Sequence, residues 1–298
     1  MTVSYPRLAA RTLRFTLGIP RNLTISPDGG TVRFIRTPDG VTRTGQLWEY
    51  DVATATESVL VDPNALLGEA GEELSAEERS RRERSRESAA GVVGYDVDDT
   101  GRWACFALSG QLWAVHLGAK AVHSLPSVGA VIDPRLDPTG RLIAYASGGA
   151  LRVIGVDGSG ERALASPESD TEVWGQAEFI AAEEMDRFRG FWWAPDGQSL
   201  LVERFDDAPV QTWHIADPEH PDREPVARRY PAAGTPNSLV TLWHVDLDGN
   251  RTEVEWDHAA YEYLGRVAWS SNGDPVIQVL SRDQRTSQIL TVDVASGR

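Results

Sequence analysis

One phrase recurs along this chain and narrows its fold more than any other feature: a tight turn built from Asp, Pro and Gly, followed at once by a short apolar run. The turn stands as Ser26-Pro27-Asp28-Gly29, Asp98-Asp99-Thr100-Gly101, Asp137-Pro138-Thr139-Gly140, Ala194-Pro195-Asp196-Gly197 and Ser271-Asn272-Gly273-Asp274. Pro presets φ and Gly accepts φ > 0, so each reads as a turn between strands. Runs such as Val32-Arg33-Phe34-Ile35 and Leu142-Ile143-Ala144-Tyr145 follow the turns. A second run then closes each unit, as in Leu47-Trp48-Glu49-Tyr50, Leu112-Trp113-Ala114-Val115 and Leu242-Trp243-His244-Val245. Turn, strand, short loop, strand is the grammar of a four-stranded antiparallel blade. The chain therefore reads as all-β, a β-propeller with about five blade units. A β-sandwich is the competing all-β architecture, and the regular repetition argues against it.

The units are unevenly spaced, so insertions must sit between them. Residues 66–90 hold a charged stretch, Glu77-Glu78-Arg79-Ser80-Arg81-Arg82-Glu83-Arg84. Ser75 and Glu78 have capping-box spacing, and Glu77 with Arg81 and Glu78 with Arg82 make i,i+4 pairs. With almost no apolar face, the segment is expected as a solvated helix or a partner-contacting arm. Residues 204–238, rich in Pro and Asp, read as an extended arm that carries Tyr230.

Composition excludes several function classes. The formal net charge of the 298 residues is -15. Nucleic acid is therefore not an expected partner, because binding it needs a basic face. Nothing approaches the roughly 20 apolar residues of a membrane span, and the amino terminus lacks the apolar core of a signal peptide. Cys105 is the only cysteine. A lone thiol fits a reducing compartment, and a cytoplasmic location is the expectation. His116, His123, His214, His220, His244 and His258 show no metal-binding spacing, so neither a metal nor a cofactor is expected. His123, Ser124 and Asp133 lie close in sequence, but no nucleophile elbow accompanies them.

The segment 178–190 holds the candidate site. Glu178-Phe179-Ile180-Ala181-Ala182-Glu183-Glu184-Met185-Asp186-Arg187 precedes Phe191-Trp192-Trp193-Ala194-Pro195-Asp196-Gly197. Adjacent residues on a strand point to opposite faces, and on a helix they diverge by roughly a hundred degrees. Glu183 and Glu184 can meet one ligand only from a short helix or turn projecting into a cavity, which the Ala-Ala-Glu-Glu composition suits. The plain alternative is a solvated helical turn in which Glu183 and Glu184 pair with Arg187 at i,i+4 and i,i+3. Glu178 reads as an ordinary surface acid. Trp48, Trp113 and Trp243 occupy equivalent strand positions and are expected to pack between blades. Trp192 and Trp193 are expected to pack in the core.

Four stretches together resemble a known family: Arg14-Phe15 through Gly29, the charged insertion around Glu77 to Arg86, the Glu183-Glu184 segment with its Trp-Trp strand, and Arg229-Tyr230-Pro231-Ala232-Ala233-Gly234. They look like the amino-terminal propeller of bacterial dipeptidyl-peptidase IV-type enzymes in the prolyl oligopeptidase family of serine peptidases. The resemblance implies an eight-bladed propeller capping an α/β-hydrolase domain that carries a Ser-Asp-His triad. It also implies that Glu183 and Glu184 bind the α-ammonium of peptide amino termini, with Tyr230 as a weaker candidate for substrate contact. Homodimerisation of the full-length enzyme and release of Xaa-Pro or Xaa-Ala dipeptides are implied in the same way. The family's substrate-contacting Arg of the second blade is not carried over, since Arg102 matches it poorly.

No Gly-x-Ser-x-Gly occurs in the sequence, so no catalytic residue is assigned. The chain, residues 1–298, is expected to be part of a longer enzyme and inactive as a peptidase by itself. The competing expectation is a non-catalytic propeller serving as a protein-binding scaffold. A propeller enzyme acting on sugars or lactones would need convergent carboxylates or a metal that the sequence does not display.

Two adjacent carboxylates are suited to an α-ammonium. Together they accept most of its three N–H donors in charge-assisted hydrogen bonds of roughly 1.5–3 kcal/mol each. Their mutual repulsion is expected to raise the pKa of one of them until the cation arrives.

Overall fold

The computed structural model describes residues 3–68, 71–269, 271 and 273–298. Helix α1 (Tyr5–Arg11) leads into a first sheet in the order β1 (Arg21–Ile25), β2 (Thr31–Arg36), β3 (Thr44–Asp51), β4 (Thr56–Val61). Helices α2 (Pro63–Leu67) and α3 (Ala76–Arg84) follow, and β5 (Ala90–Gly91) pairs with β3 in parallel. The second sheet runs β6 (Asp96–Val97), β7 (Trp103–Leu108), β8 (Gln111–His116), β9 (Ala121–Leu125). The third runs β10 (Ile132–Leu136), β11 (Leu142–Ser147), β12 (Ala150–Gly155), β13 (Arg162–Ala165). These meanders of sequential antiparallel strands are blades, as the repeated turn-strand phrase predicts.

The turns form as the sequence dictates. Asp98 and Asp137 are buried, and each carboxylate accepts two backbone N–H groups of the strand that follows: Arg102 and Trp103 for Asp98, Arg141 and Leu142 for Asp137. Gly101 and Gly140 supply φ of 68° and 69° at the same place in each turn. The fifth turn includes Asn272, which lies outside the described residues.

The fourth sheet departs from the simple meander. Its first strand is split into β14 (Glu172–Trp174) and β15 (Phe191–Trp193), with α4 (Phe179–Glu184) between them. Both halves pair with the long strand β16 (Ser199–Asp206): Trp174 faces Arg204 and Phe191 faces Val202. The hairpin β17 (Thr212–Ile215) with β18 (Val226–Arg229) stands outside the sheet. It occupies the segment read as an extended arm, although β16 itself continues through Asp206. Strands β19 (Leu239–Asp246) and β20 (Arg251–Val254) complete this sheet in the order β14-β16-β19-β20. A fifth sheet has β21 (Tyr263–Ala268), β22 (Val276–Leu280) and β23 (Ser287–Thr291).

The chain divides into two compact units: residues 1–148 with 152–162, and residues 149–151 with 163–298. In the first, Ile35, Leu47, Phe106 and Val115 join the first two sheets in one apolar cluster, while Leu112, Ile143, Tyr145 and Ile154 join the second and third. In the second unit, Leu201, Leu242, Leu264, Ile277 and Val279 form the core between the fourth and fifth sheets. Successive side chains of the central strands point to opposite faces and both faces are buried, so Phe106 enters the first of these clusters and Cys105 the second.

Several local expectations change. Ser75 caps α3 by accepting the Glu78 N–H at 3.1 Å. The Glu78 carboxylate, however, turns to Arg81 and Arg82, and Glu77 stays exposed. Arg82 is buried, pairs with Glu72 at 2.6 Å and donates to the Ala89 carbonyl. The helix is therefore fastened along one charged face and is not solvated all round. Among the tryptophans, Trp113 stacks on Phe106 within its own sheet and also packs against the core shared by the first two sheets. The ring partners of Trp48 and Trp243 lie within their own sheets: Arg36 for Trp48, and Trp174 for Trp243. His123 contacts the Val156 carbonyl and Asp133 pairs with Arg135, so they form no triad with Ser124.

Candidate functional site

The site is an excursion from the first strand of the fourth sheet. Residues 175–190 leave between β14 and β15 and return to the same partner strand. The neck is closed by the bridge Gln176–Arg189 and by two bonds to one residue of β16: Gly175 N–H to the Glu203 carbonyl (2.9 Å) and Glu203 N–H to the Gly190 carbonyl (2.8 Å). A side chain on Gly190 would collide with the Gln176 backbone, which is why glycine stands there. Glu203 thus lies in the one register position of β16 opposite the excursion.

Helix α4 is six residues long, too short to persist without support at its ends. Ile180, Ala181 and Ala182 turn inward and are buried, while Glu183 and Glu184 point outward and are exposed. Glu178 is not a surface acid. It is buried and is the N-cap, accepting the N–H groups of Ile180 (2.5 Å) and Ala181 (2.7 Å). Burial, reinforced by the negative charge of Glu203, pushes its carboxyl up to about 7 despite those two donors. Burial likewise raises Glu203, against the opposing pull of Arg187.

Arg187 does not form the surface pairs that helical spacing offers it. It is buried and forms an ion pair with Glu203, and it donates to the carbonyls of Arg189 (2.9 Å) and Leu264 (3.0 Å). That removes the cation expected to neutralise Glu183 and Glu184. Among the described residues Glu183 has no ion-pair partner, and Glu184 accepts one hydrogen bond, from Gln284 Nε2 at 2.6 Å. Gln284 sits in the turn between β22 and β23 with a φ of 55°.

Tyr230 is half exposed, and its ring meets Phe179, the first residue of α4, edge-on at 5.3 Å. The loop after it is tied down by Arg282, which donates to the Thr235 carbonyl and pairs with Glu262. Asn237 also bonds Glu262, at 2.9 Å, and the Tyr263 hydroxyl. The structure therefore brings Tyr230 to the base of the acidic helix. Arg102 instead donates to Thr100 and to the Thr139 carbonyl within the first unit. No cluster of metal-ligating side chains occurs among the described residues.

Residues 90–298 match the family model of the dipeptidyl peptidase IV N-terminal region, which covers more than half of the chain and includes the whole excursion. The chain belongs to this family.

Individual relatives agree with that placement. Dipeptidyl peptidase 8 of Homo sapiens is 26% identical over 261 residues, covering 73% of this chain and 29% of that protein. A protein named probable dipeptidyl peptidase 4 from Neosartorya fischeri is 34% identical over 139 residues, 42% of this chain and 18% of its own length. The crystal structure of Porphyromonas gingivalis dipeptidyl peptidase 4 superposes with a TM-score of 0.72 at 18% identity, covering 98% of this chain and 40% of that one. The matched region covers less than a third of the length of the first two of these relatives. The β-propeller fold of a dipeptidyl peptidase IV N-terminal region is thus established for it.

Sequence reasoning missed Glu203, Arg187 as a buried group, and Gln284. Glu203 did leave a trace: it is a lone acid inside Leu200-Leu201-Val202-Glu203-Arg204-Phe205, and buried charges persist only when paired. Gln284 left none, since it lies a hundred positions from the residue it touches.

Proposed function

We propose that this chain is the substrate-selecting propeller of a serine exopeptidase that releases dipeptides from peptide amino termini, with Glu183 and Glu184 binding the α-ammonium. One observation carries the reading: both carboxylates are exposed on a short helix, and Arg187, the guanidinium that helical spacing offers them, is committed to buried Glu203. An enzyme that counts two residues from a free amine needs an anionic stop at a fixed place, and a helix held at both ends supplies one. Membership of the dipeptidyl peptidase IV N-terminal region family supports the same substrate class. Tyr230, whose ring meets Phe179 at the base of the helix, would wall the bound peptide. Acyl transfer is assigned to an α/β-hydrolase domain outside this chain.

The test is a titration with alanyl-proline and with its N-acetyl form. The free amine should bind at least about tenfold more tightly, since each charge-assisted bond is worth roughly 1.5–3 kcal/mol. Equal affinities would refute amine recognition and leave a protein-binding scaffold as the better description.

A further inference from the structure

Helix α4 is joined to the sheet by one side chain at both of its ends. At the amino end, the Glu178 N–H donates to Glu203 Oε1 at 3.1 Å, and the Glu178 carboxylate turns back to cap Ile180 and Ala181. At the carboxyl end, the Arg187 N–H closes on the Ala181 carbonyl at 3.0 Å, and its guanidinium reaches Glu203 Oε2. The two oxygens of a single carboxylate therefore take the two ends of the helix. Glu203 is itself immobile: it is fully buried, and its backbone is bonded on both sides across the neck of the excursion. Arg187 extends the connection to the next sheet through the Leu264 carbonyl, and its guanidinium lies 5.9 Å from the Trp192 ring centroid.

We infer that Glu178, Arg187 and Glu203 form a buried latch that fixes the direction in which α4 presents Glu183 and Glu184, making these three the positioning residues of the amine site. This rests on the amine-binding reading given above, but the latch can be tested without it. The three residues are buried, so they act on a ligand only through the helix. Two carboxylates and one guanidinium in a water-poor site are an expensive way to build packing alone, since apolar side chains of similar volume hold a fold at least as well. What the charged set adds is direction. Glu203 can satisfy both ends only if the helix lies in one orientation, and a six-residue helix does not keep one by its own hydrogen bonds.

The experiment uses the intact protein and two readouts. Amide hydrogen exchange over residues 179–184 reports the helix directly, and affinity for alanyl-proline against N-acetyl-alanyl-proline reports the site. Glu203→Gln keeps shape and volume but replaces one acceptor oxygen with a donor facing Arg187. It should speed exchange of 179–184 at least tenfold, leave exchange in β10–β12 unchanged, and cut the preference for the free amine at least tenfold. Arg187→Lys should recover part of the preference lost in Arg187→Met, because the charge is retained while the fork is not. Wild-type exchange of the helix in Glu203→Gln overturns the latch. If the wild-type protein shows no preference for the free amine, the functional proposal fails, and the exchange data alone decide the latch. Should Glu203→Gln fail to fold, Glu178→Ala, which removes the side-chain cap on Ile180 and Ala181, takes its place: faster exchange confined to 179–184 supports the latch, and unchanged exchange overturns it.

Discussion

Replacing Glu178 by Gln should remove the pH dependence of stability that this residue imposes. The folded protein holds the Glu178 carboxyl near about 7, against an ordinary value of 4.5, because burial and the neighbouring Glu203 disfavour its charge. A raised carboxyl pKa means that the folded state binds the proton more tightly than the unfolded state. The stabilisation is therefore complete below about pH 4.5 and is lost as pH rises through about 7. The interval between those values corresponds to about 3 kcal/mol, of which about 2.5 kcal/mol disappears between pH 5 and pH 8. Glu203, raised in the same direction by burial, adds to the effect with the same sign. Glutamine mimics the neutral acid at every pH, and its oxygen can still accept from the Ile180 or Ala181 N–H. Urea unfolding of both proteins at pH 5, 6, 7 and 8 isolates the contribution, because the carboxylates held low elsewhere, such as Glu161 and Asp206, titrate identically in both. The variant should gain on the wild type by about 2–3 kcal/mol across that range. A difference that stays constant from pH 5 to pH 8 would refute the account of Glu178 as a carboxyl held in its acid form by burial.

Further outcomes follow from the same geometry. Glu183→Ala and Glu184→Ala should each weaken binding of alanyl-proline by about 1.5–3 kcal/mol in titration, while thermal midpoints stay near wild type because both side chains are exposed; unaltered affinity in both would remove the pair from the site. Affinity should decline at acid pH as a carboxylate takes up a proton, and again above about 7.7–8.0 as the peptide amine loses its charge, so a flat profile from pH 4 to 9 would contradict the ion-pair reading. Arg187→Ala leaves Glu203 buried without its counter-charge and should cost about 3–5 kcal/mol, more at pH 8 than at pH 5, in urea unfolding. Gly190→Ala forces the neck of the excursion apart and should destabilise by about 1–3 kcal/mol, read from the same unfolding curves.

What the sequence determined by itself was local and repetitive. A Pro-Asp-Gly turn needs only four neighbouring residues to set its φ and ψ, and period-two alternation sorts a strand's faces without knowledge of its partner. The blades around Asp98 and Asp137 were legible for that reason. So was the short helix under Glu183 and Glu184, because alanine and glutamate favour it locally. The tertiary structure decided the environment of each charge. Helical spacing gave Arg187 to Glu183 and Glu184, and only the return of the chain to β16 gave it to Glu203. Glu178 looked like surface until the excursion folded over it, and Glu77 lost Arg81 to Glu78 when α3 was fastened along its other face. Ion pairing depends on distance in space and on the loss of water around it, and neither is written in the spacing of residues along the chain.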